Sequence, residues 1–131
     1  MRKIVLFVIA ATLLAGTAAY AHHSYGATYD TTKEIKLTGK LVQFTYRNPH
    51  AFVTIQAADQ NGVQQRWAIE WSGTTQLGNS GITHDSLHAG DEIVITARPS
   101  RVPGEYRALM VNLKRPVDGF AWGAREGEKV D

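Results

Sequence analysis

The sequence contains no cysteine. This absence excludes disulfide bonds, iron–sulfur clusters and thiol catalysis. Any metal ion would have to be bound by nitrogen and oxygen atoms, with weak help from the thioether of Met110. The chemistry open to the chain is therefore that of histidine, carboxylate, aromatic and arginine side chains.

The sequence has one long apolar run, at its N-terminus, and no second one follows it. Arg2 and Lys3 precede the apolar residues 4–14, and a small-x-small motif ends at Ala21. This order is typical of a signal peptide, and the apolar run is too short to span a bilayer. We predict a signal peptide over residues 1–21 and a periplasmic or secreted mature protein with no membrane span. An uncleaved N-terminal anchor is the alternative.

The predicted mature chain, which begins at His22, has no excess of charge. The full sequence has 14 Lys and Arg against 12 Asp and Glu, and Arg2 and Lys3 lie in the signal peptide. Cleavage therefore removes the formal charge of +2 and leaves a neutral chain. Because nucleic-acid binding needs a basic surface, the sequence predicts that nucleic acid is not a partner.

Apolar and polar residues alternate in five segments, which predicts five β-strands. The first strand changes phase between Gly39 and Val42, so a β-bulge is expected there. Asn61-Gly62 tolerates the positive φ of a tight hairpin between the second and third strands. The five segments are 35–46, 51–57, 65–71, 92–97 and 106–113.

The segment between the third and fourth strands breaks the alternation. Thr74 or Thr75 is a candidate N-cap for a short helix that ends near Gly81. Three strands, a helix and two strands are the order of an oligonucleotide/oligosaccharide-binding (OB) barrel. The predicted fold class is all-β with one short helix, as a five-stranded OB-like small β-barrel.

The barrel is expected to occupy residues 35–116. Residues 22–34 are polar and are expected to form an extended N-terminal segment. Residues 117–131 are polar and rich in glycine apart from Phe120 and Trp122. They are expected to form a C-terminal tail that docks these two aromatic side chains.

Five short motifs follow one another along the mature chain in a distinctive order and spacing. They are Ala21-His22-His23-Ser24, Asn48-Pro49-His50, Trp67-Ala68-Ile69-Glu70, Leu87-His88-Ala89-Gly90-Asp91 and Asp118-Gly119. Together they resemble a family of small exported bacterial proteins, domain of unknown function 6152. The resemblance covers nearly the whole mature chain and implies export and a small β-barrel. It implies no established activity and therefore lends no catalytic residue.

The N-terminal histidine of the mature chain is the first candidate for chemistry. The α-amine and the ring of His22 can chelate one metal ion, and His23 or His50 can add a second imidazole. Such nitrogen donors suit Cu(II), Ni(II) or Zn(II), and Cu(II) stands highest in the affinity series. The first hypothesis is therefore an exported accessory protein that binds Cu(II), although the sequence makes no cofactor certain. The bland alternative is a pair of polar histidines on a frayed terminus.

The second hypothesis is a metal-free module that binds a protein or a small ligand. Aromatic and arginine side chains on one OB face can stack on sugars or peptides, although aromatic residues at a period of two more often fill a core. The candidate binding residues are Phe44, Tyr46, Arg47, Phe52, Arg66 and Trp71.

An enzyme is not expected. The sequence contains no nucleophile-elbow, Walker or His-Glu-x-x-His pattern. The acid–base candidates are Glu70, Asp91 and His50. Glu70 lies on the strand face opposite Trp67, Ile69 and Trp71, and so is expected to be a solvated strand residue.

Overall fold

The computed structural model describes residues 25–123 of the 131-residue chain. The predicted signal peptide, His22, His23 and residues 124–131 lie outside the described residues. A helical turn at residues 25–28 comes first. It is followed by β1 (Ile35–Thr45), β2 (Phe52–Ala58), β3 (Gln64–Glu70), α1 (Thr74–Asn79), β4 (Glu92–Pro99), β5 (Arg107–Arg115) and β6 (Phe120–Trp122).

The sheet closes on itself. Antiparallel pairing runs in the order β3, β2, β1, β4, β5, and a short parallel pairing between β3 and β5 completes the circle. The closing contact is brief: Ala68 to Glu70 lie opposite Arg107 to Leu109. The prediction of a five-stranded barrel with one helix between the third and fourth strands is confirmed.

The first strand serves two neighbours because it bends. Its register against β2 shifts between Leu41 and Gln43, where the sequence predicts a bulge. Gly39 lies so close to β2 that a Cβ atom there would stand 2.0 Å from the Gln56 carbonyl oxygen. A glycine is needed at this close approach, and the bend lets β1 pair with both β2 and β4.

The barrel interior is filled by inward-facing branched and aromatic side chains. The connection from α1 to β4 covers one end of the barrel with three more buried residues, Leu77, Ile82 and Leu87. The strand residues of the core include Leu37, Leu41, Val53, Ile55, Trp67, Ile69, Ile93, Ile95 and Leu113.

The N-terminal flanking segment differs from the sequence expectation, whereas the C-terminal one docks its two aromatic side chains as expected and also forms a strand. Residues 25–28 are helical rather than extended, and Tyr29 is buried and bridges to Ser100. The expected tail contributes β6 to the sheet, and the Trp122 ring lies 5.0 Å from that of Trp71. Within the described residues, no helix has the length and apolar character needed to cross a membrane.

Candidate functional site around His50

The turn that carries His50 is fastened to the start of α1. The side-chain oxygen of Asn48 accepts hydrogen bonds from the backbone N–H and the hydroxyl of Thr74, each at 2.9 Å. The Asn48–Pro49 peptide bond is cis. A Cβ atom on Gly73 would stand 2.7 Å from the Pro49 carbonyl oxygen, so the turn and the start of the helix are closely packed. These contacts fix the position of His50 just before β2.

The His50 ring contacts a carboxylate that is buried on the outer side of the barrel. Glu70 pairs with Phe52 across the β2–β3 ladder, so it points away from the core, yet it is only 6% exposed. One oxygen of Glu70 lies 2.8 Å from Nδ1 of His50. The other accepts hydrogen bonds from a guanidinium nitrogen of Arg107 at 2.9 Å and from the Tyr29 hydroxyl. Glu70 therefore joins the N-terminal segment, the His50 turn, β3 and β5.

The second ring nitrogen of His50 contacts the helical turn at residues 25–28. The Tyr25 hydroxyl lies 2.5 Å from Nε2 of His50. Since the Glu70 carboxylate can only accept hydrogen bonds, Nδ1 carries the ring proton. Nε2 of the neutral ring then accepts the Tyr25 hydroxyl proton in a hydrogen bond. The result is a continuous hydroxyl–imidazole–carboxylate chain.

The electrostatics of this cluster keep both phenols protonated. Burial, followed by the negative charge of Glu70, raises the pKa of Tyr25. Burial and the hydrogen bond to Glu70 raise the pKa of Tyr29 well above its ordinary value. Burial would lower the pKa of Arg107, but hydrogen bonds to Glu70 and Tyr29 outweigh it and raise the pKa. The cluster thus has neutral hydroxyl groups and a permanent cation.

A pocket of about 540 Å³ opens beside the Tyr25–His50 pair. It lies at the end of β3, where Trp71 and Ser72 follow the last residues paired with β5. Histidine is the only side chain in the lining whose ordinary pKa lies near neutrality. The lining residues are Tyr25, Pro49, His50, Trp71, Ser72, Gln76, Leu109 and Met110.

The structure tests the proposed metal ligands only at His50. His22 and His23 lie outside the described residues, so their placement stays a prediction. Within residues 25–123, no group of three or more His, Asp or Glu side chains is arranged to hold a metal ion. A metal site of three such ligands at His50 would therefore need donors from outside the described residues.

The predicted aromatic and arginine face is not one surface. Trp71 is buried, and Phe44 and Tyr46 pack against the core. Phe52 faces outward, with the guanidinium groups of Arg47 and Arg107 at 5.6 and 5.9 Å from its ring centre. The expectation of a single face is corrected in this way, because β1 changes phase at its bulge and turns Phe44 inward beside Val53.

Arg66 lies apart from the other members of that predicted face. It is exposed and pairs with Gln56 in the β2–β3 ladder, four residues along β3 from Glu70. Four residues of extended strand cover about 13 Å. The second charged residue beside Phe52, together with Arg47, is Arg107, which the sequence pattern does not single out.

Sequence reasoning also missed the central residue of the site. Alternation correctly places Glu70 opposite Trp67, Ile69 and Trp71, but the expectation that it is solvated is wrong. The residues that cover it, Tyr29 and Arg107, are distant in the chain. No local pattern in the sequence predicts that these two side chains bury Glu70.

The fold and the site together define a small OB-like barrel protein with one pocket-side histidine in its described part. The chain belongs to a family of unknown function (DUF6152), whose model matches residues 11–108, about three quarters of the sequence. The resemblance drawn from the motifs is thereby confirmed. No curated protein matches the chain significantly.

Among solved structures, the chain is similar to the mitochondrial single-stranded DNA-binding protein Rim1 from S. cerevisiae. The two are 12% identical, and the match covers 63% of this chain and 92% of that one with a TM-score of 0.44. The prediction that nucleic acid is excluded as a partner is corrected by this match, because a protein with this likeness binds single-stranded DNA. At this TM-score the likeness carries no argument that the present chain does so.

Proposed function

We propose that this chain is an exported accessory protein that binds Cu(II) through the N-terminal histidine His22, with His50 or His23 adding a second imidazole. The observation that supports the proposal is the orientation of the His50 ring. Its Nδ1 contacts Glu70 at 2.8 Å, and its Nε2 lies at the pocket. A histidine held in this way presents one electron pair in a fixed direction, which accepts from the Tyr25 hydroxyl and would pass to the metal ion on binding.

Metal-binding histidines commonly donate their second N–H to a carboxylate, which fixes the tautomer and makes the ligating nitrogen more basic. Glu70 stands in that position relative to His50. Its own orientation is held by Arg107 at 2.9 Å. The described residues therefore supply one oriented ligand and the groups that support it.

The remaining donors would come from the segment before Tyr25. Tyr25 is the third residue after His22, and three residues of extended chain span at most about 11 Å. Because the Tyr25 hydroxyl contacts Nε2 of His50, the amine and ring of His22 are within chain reach of the same pocket. Cleavage after Ala21 would free that amine. An amine and imidazoles in a chain without cysteine favour Cu(II).

The test compares protein with an authentic His22 amine against protein extended by two residues at that end. Competition with a chelator of known affinity measures Cu(II) binding, and electron paramagnetic resonance counts the coordinated nitrogens. We expect the extension to abolish tight binding, and His50→Ala to weaken it and remove one nitrogen. His84→Ala is the matched control, since His84 is exposed and pairs only locally with Asp85. Equal binding by the native and extended forms would exclude the amine chelate.

The second candidate is a metal-free binding module, which the surface around Phe52 favours. Two guanidinium groups flank this half-buried ring on the outside of the barrel. A ligand or partner with an anionic group and a flat ring would complement it. In the metal test, this candidate predicts no tight Cu(II) binding by the native protein. Neither the extension nor His50→Ala would then change the measured affinity.

A further inference from the structure

The hydroxyl–imidazole–carboxylate chain of Tyr25, His50 and Glu70 has an arrangement that metal binding does not require. We propose that Tyr25 is a base-activated nucleophile, which accepts an acyl group from a small activated ester bound in the adjoining pocket. His50 is the general base in this proposal, and Glu70 is a positioning residue that acts through His50. The inference goes beyond the proposed copper binding and does not depend on it.

The distances suit the transfer of a proton along this chain. The nucleophile and the base are 2.5 Å apart, between the Tyr25 hydroxyl and Nε2 of His50. The base and its orienting carboxylate are 2.8 Å apart. A nucleophile bonded to a base that a third group orients is the general pattern of activated hydroxyl nucleophiles. Glu70 also supplies a negative charge beside the imidazolium that proton transfer would create.

The orienting carboxylate is itself held in place. Arg107 donates from one terminal nitrogen to Glu70 at 2.9 Å and from Nε to the Tyr29 hydroxyl at 2.8 Å. The Tyr29 hydroxyl donates to the same Glu70 oxygen that accepts from the Arg107 guanidinium. The other oxygen is therefore left for His50. A carboxylate fixed on one side keeps the ring in one orientation without cost at the moment of reaction.

The pocket places a substrate beside this pair. Tyr25 and His50 both line it, and its volume of about 540 Å³ is ample for a small ester. Trp71, Leu109 and Met110 give it an apolar part for the acyl group. The lining contains no Asp, Glu, Lys or Arg side chain, which favours an uncharged substrate.

The step balances without any further reactant. The Tyr25 oxygen forms a bond to the acyl carbon while its proton passes to Nε2 of His50. The bond to the leaving alcohol then breaks, and that alcohol takes the proton from the imidazolium. The aryl ester that forms is reactive. Water activated by the same imidazole then hydrolyses it to the carboxylic acid and free Tyr25.

The probe is p-nitrophenyl acetate, applied to the full mature chain after metal has been removed with a chelator. Release of nitrophenolate gives the rate, and peptide mapping by mass spectrometry locates the acetyl group. Tyr106 is an internal control, because its hydroxyl faces Asp59 at 3.3 Å. We expect acetylation at Tyr25 to exceed that at Tyr106 by about 100-fold, the usual contribution of a general base.

Variants separate catalysis from simple docking of the N-terminal segment. His50→Gln keeps a hydrogen-bonding side chain for Tyr25 but is no base, so it should reduce acetylation of Tyr25 to the level of Tyr106. Glu70→Gln should lower the rate and shift its pH profile, and Glu70→Asp should restore part of it. His84→Gln should change nothing. Equal acetylation of Tyr25 and Tyr106, or an unchanged rate in folded His50→Gln, would overturn the proposal.

The same experiment distinguishes this inference from copper binding. Both use Nε2 of His50, so Cu(II)-loaded protein should lose acetylation at Tyr25. If Cu(II) binds but metal-free protein is not acetylated, only the nucleophile is disproved. If acetylation occurs and Cu(II) does not bind, only the metal site is disproved.

Discussion

Two networks of charged side chains lie in the described part of the chain, one around the partly buried Arg115 and the other around the buried Glu70, and they differ in what surrounds them. Arg115 is 14% exposed and donates to Asp91 at 2.7 Å, to Asp118 at 2.8 Å and to the Ser86 carbonyl at 2.9 Å. Its guanidinium also stacks on Phe120 at 4.9 Å. These partners are two carboxylates, a carbonyl and a ring, and Asp91 and Ser86 lie 24 and 29 positions away in the chain, so this centre ties loops together.

The centre around Glu70 has the opposite arrangement, because one carboxylate accepts from several donors. One of those donors is His50, whose far nitrogen borders the pocket and contacts Tyr25. The comparison shows that both regions pair a shielded charge, while only the Glu70 region places an imidazole beside a pocket.

The largest expected effect in this comparison comes from Glu70→Gln. The neutral amide cannot accept from Arg107, Tyr29 and His50 together, so buried donors lose their acceptor. We expect the free energy of unfolding to fall by about 3 kcal/mol, measured by urea denaturation at pH 7. Glu92→Gln, at an exposed position of β4, is the matched control and should cost less than about 0.5 kcal/mol. Equal losses in the two variants would remove Glu70 from the centre of the site.

Arg115→Met should have the second largest effect, about 2 kcal/mol at pH 7. The loss is smaller because the carboxylates that it leaves unpaired are partly exposed, at 22% for Asp91 and 49% for Asp118. Cu(II) binding and acetylation of Tyr25 should not change, since this centre does not contact the pocket lining. A loss of either activity in folded Arg115→Met would break the distinction between the two centres.

The same variant has a signature in acid. Arg115 lowers the pKa of Asp118 below the ordinary value of 3.8. Burial would raise the pKa of Asp91, but hydrogen bonds from His88 and Arg115 outweigh it and lower the pKa. Lowered folded-state pKa values give stability that is present above 3.8 and is lost as the pH falls through them. Urea denaturation between about pH 5 and pH 3 should therefore show a weaker pH dependence in Arg115→Met than in the native protein.

Tyr29→Phe should have the smallest effect at neutral pH, about 1 kcal/mol, because the hydroxyl loses its bonds to Glu70 and Arg107 while those two groups keep their bond to each other. The pKa of Tyr29 is raised on folding, so its contribution is complete below the ordinary value of 10.0 and is lost only in strong alkali. Absorbance at alkaline pH should show one tyrosine that does not ionise until the protein unfolds. That late step should be absent from Tyr29→Phe, and its persistence would assign the protected phenol to another residue.

Most of the barrel could be predicted because its signals are local. Alternation from Gln64 to Glu70 selects the face that Trp67 and Ile69 bury, and Asn61-Gly62 marks the hairpin before it. The phase change in β1 likewise reports its bulge. The tail was harder, since the three residues of β6 are too few for a pattern and gain their order from pairing with β5.

By itself, the sequence determined the strand order, the place of the helix, the family and the presence of a histidine at the end of a turn. It determined these because side-chain periodicity and turn residues act over a few neighbours. Only the tertiary structure decided that Glu70 is buried and that Tyr25 contacts His50. Tyr25 and His50 are separated by 25 positions in the chain, and Tyr29 and Glu70 by 41. Such distant pairs meet only after the barrel has closed.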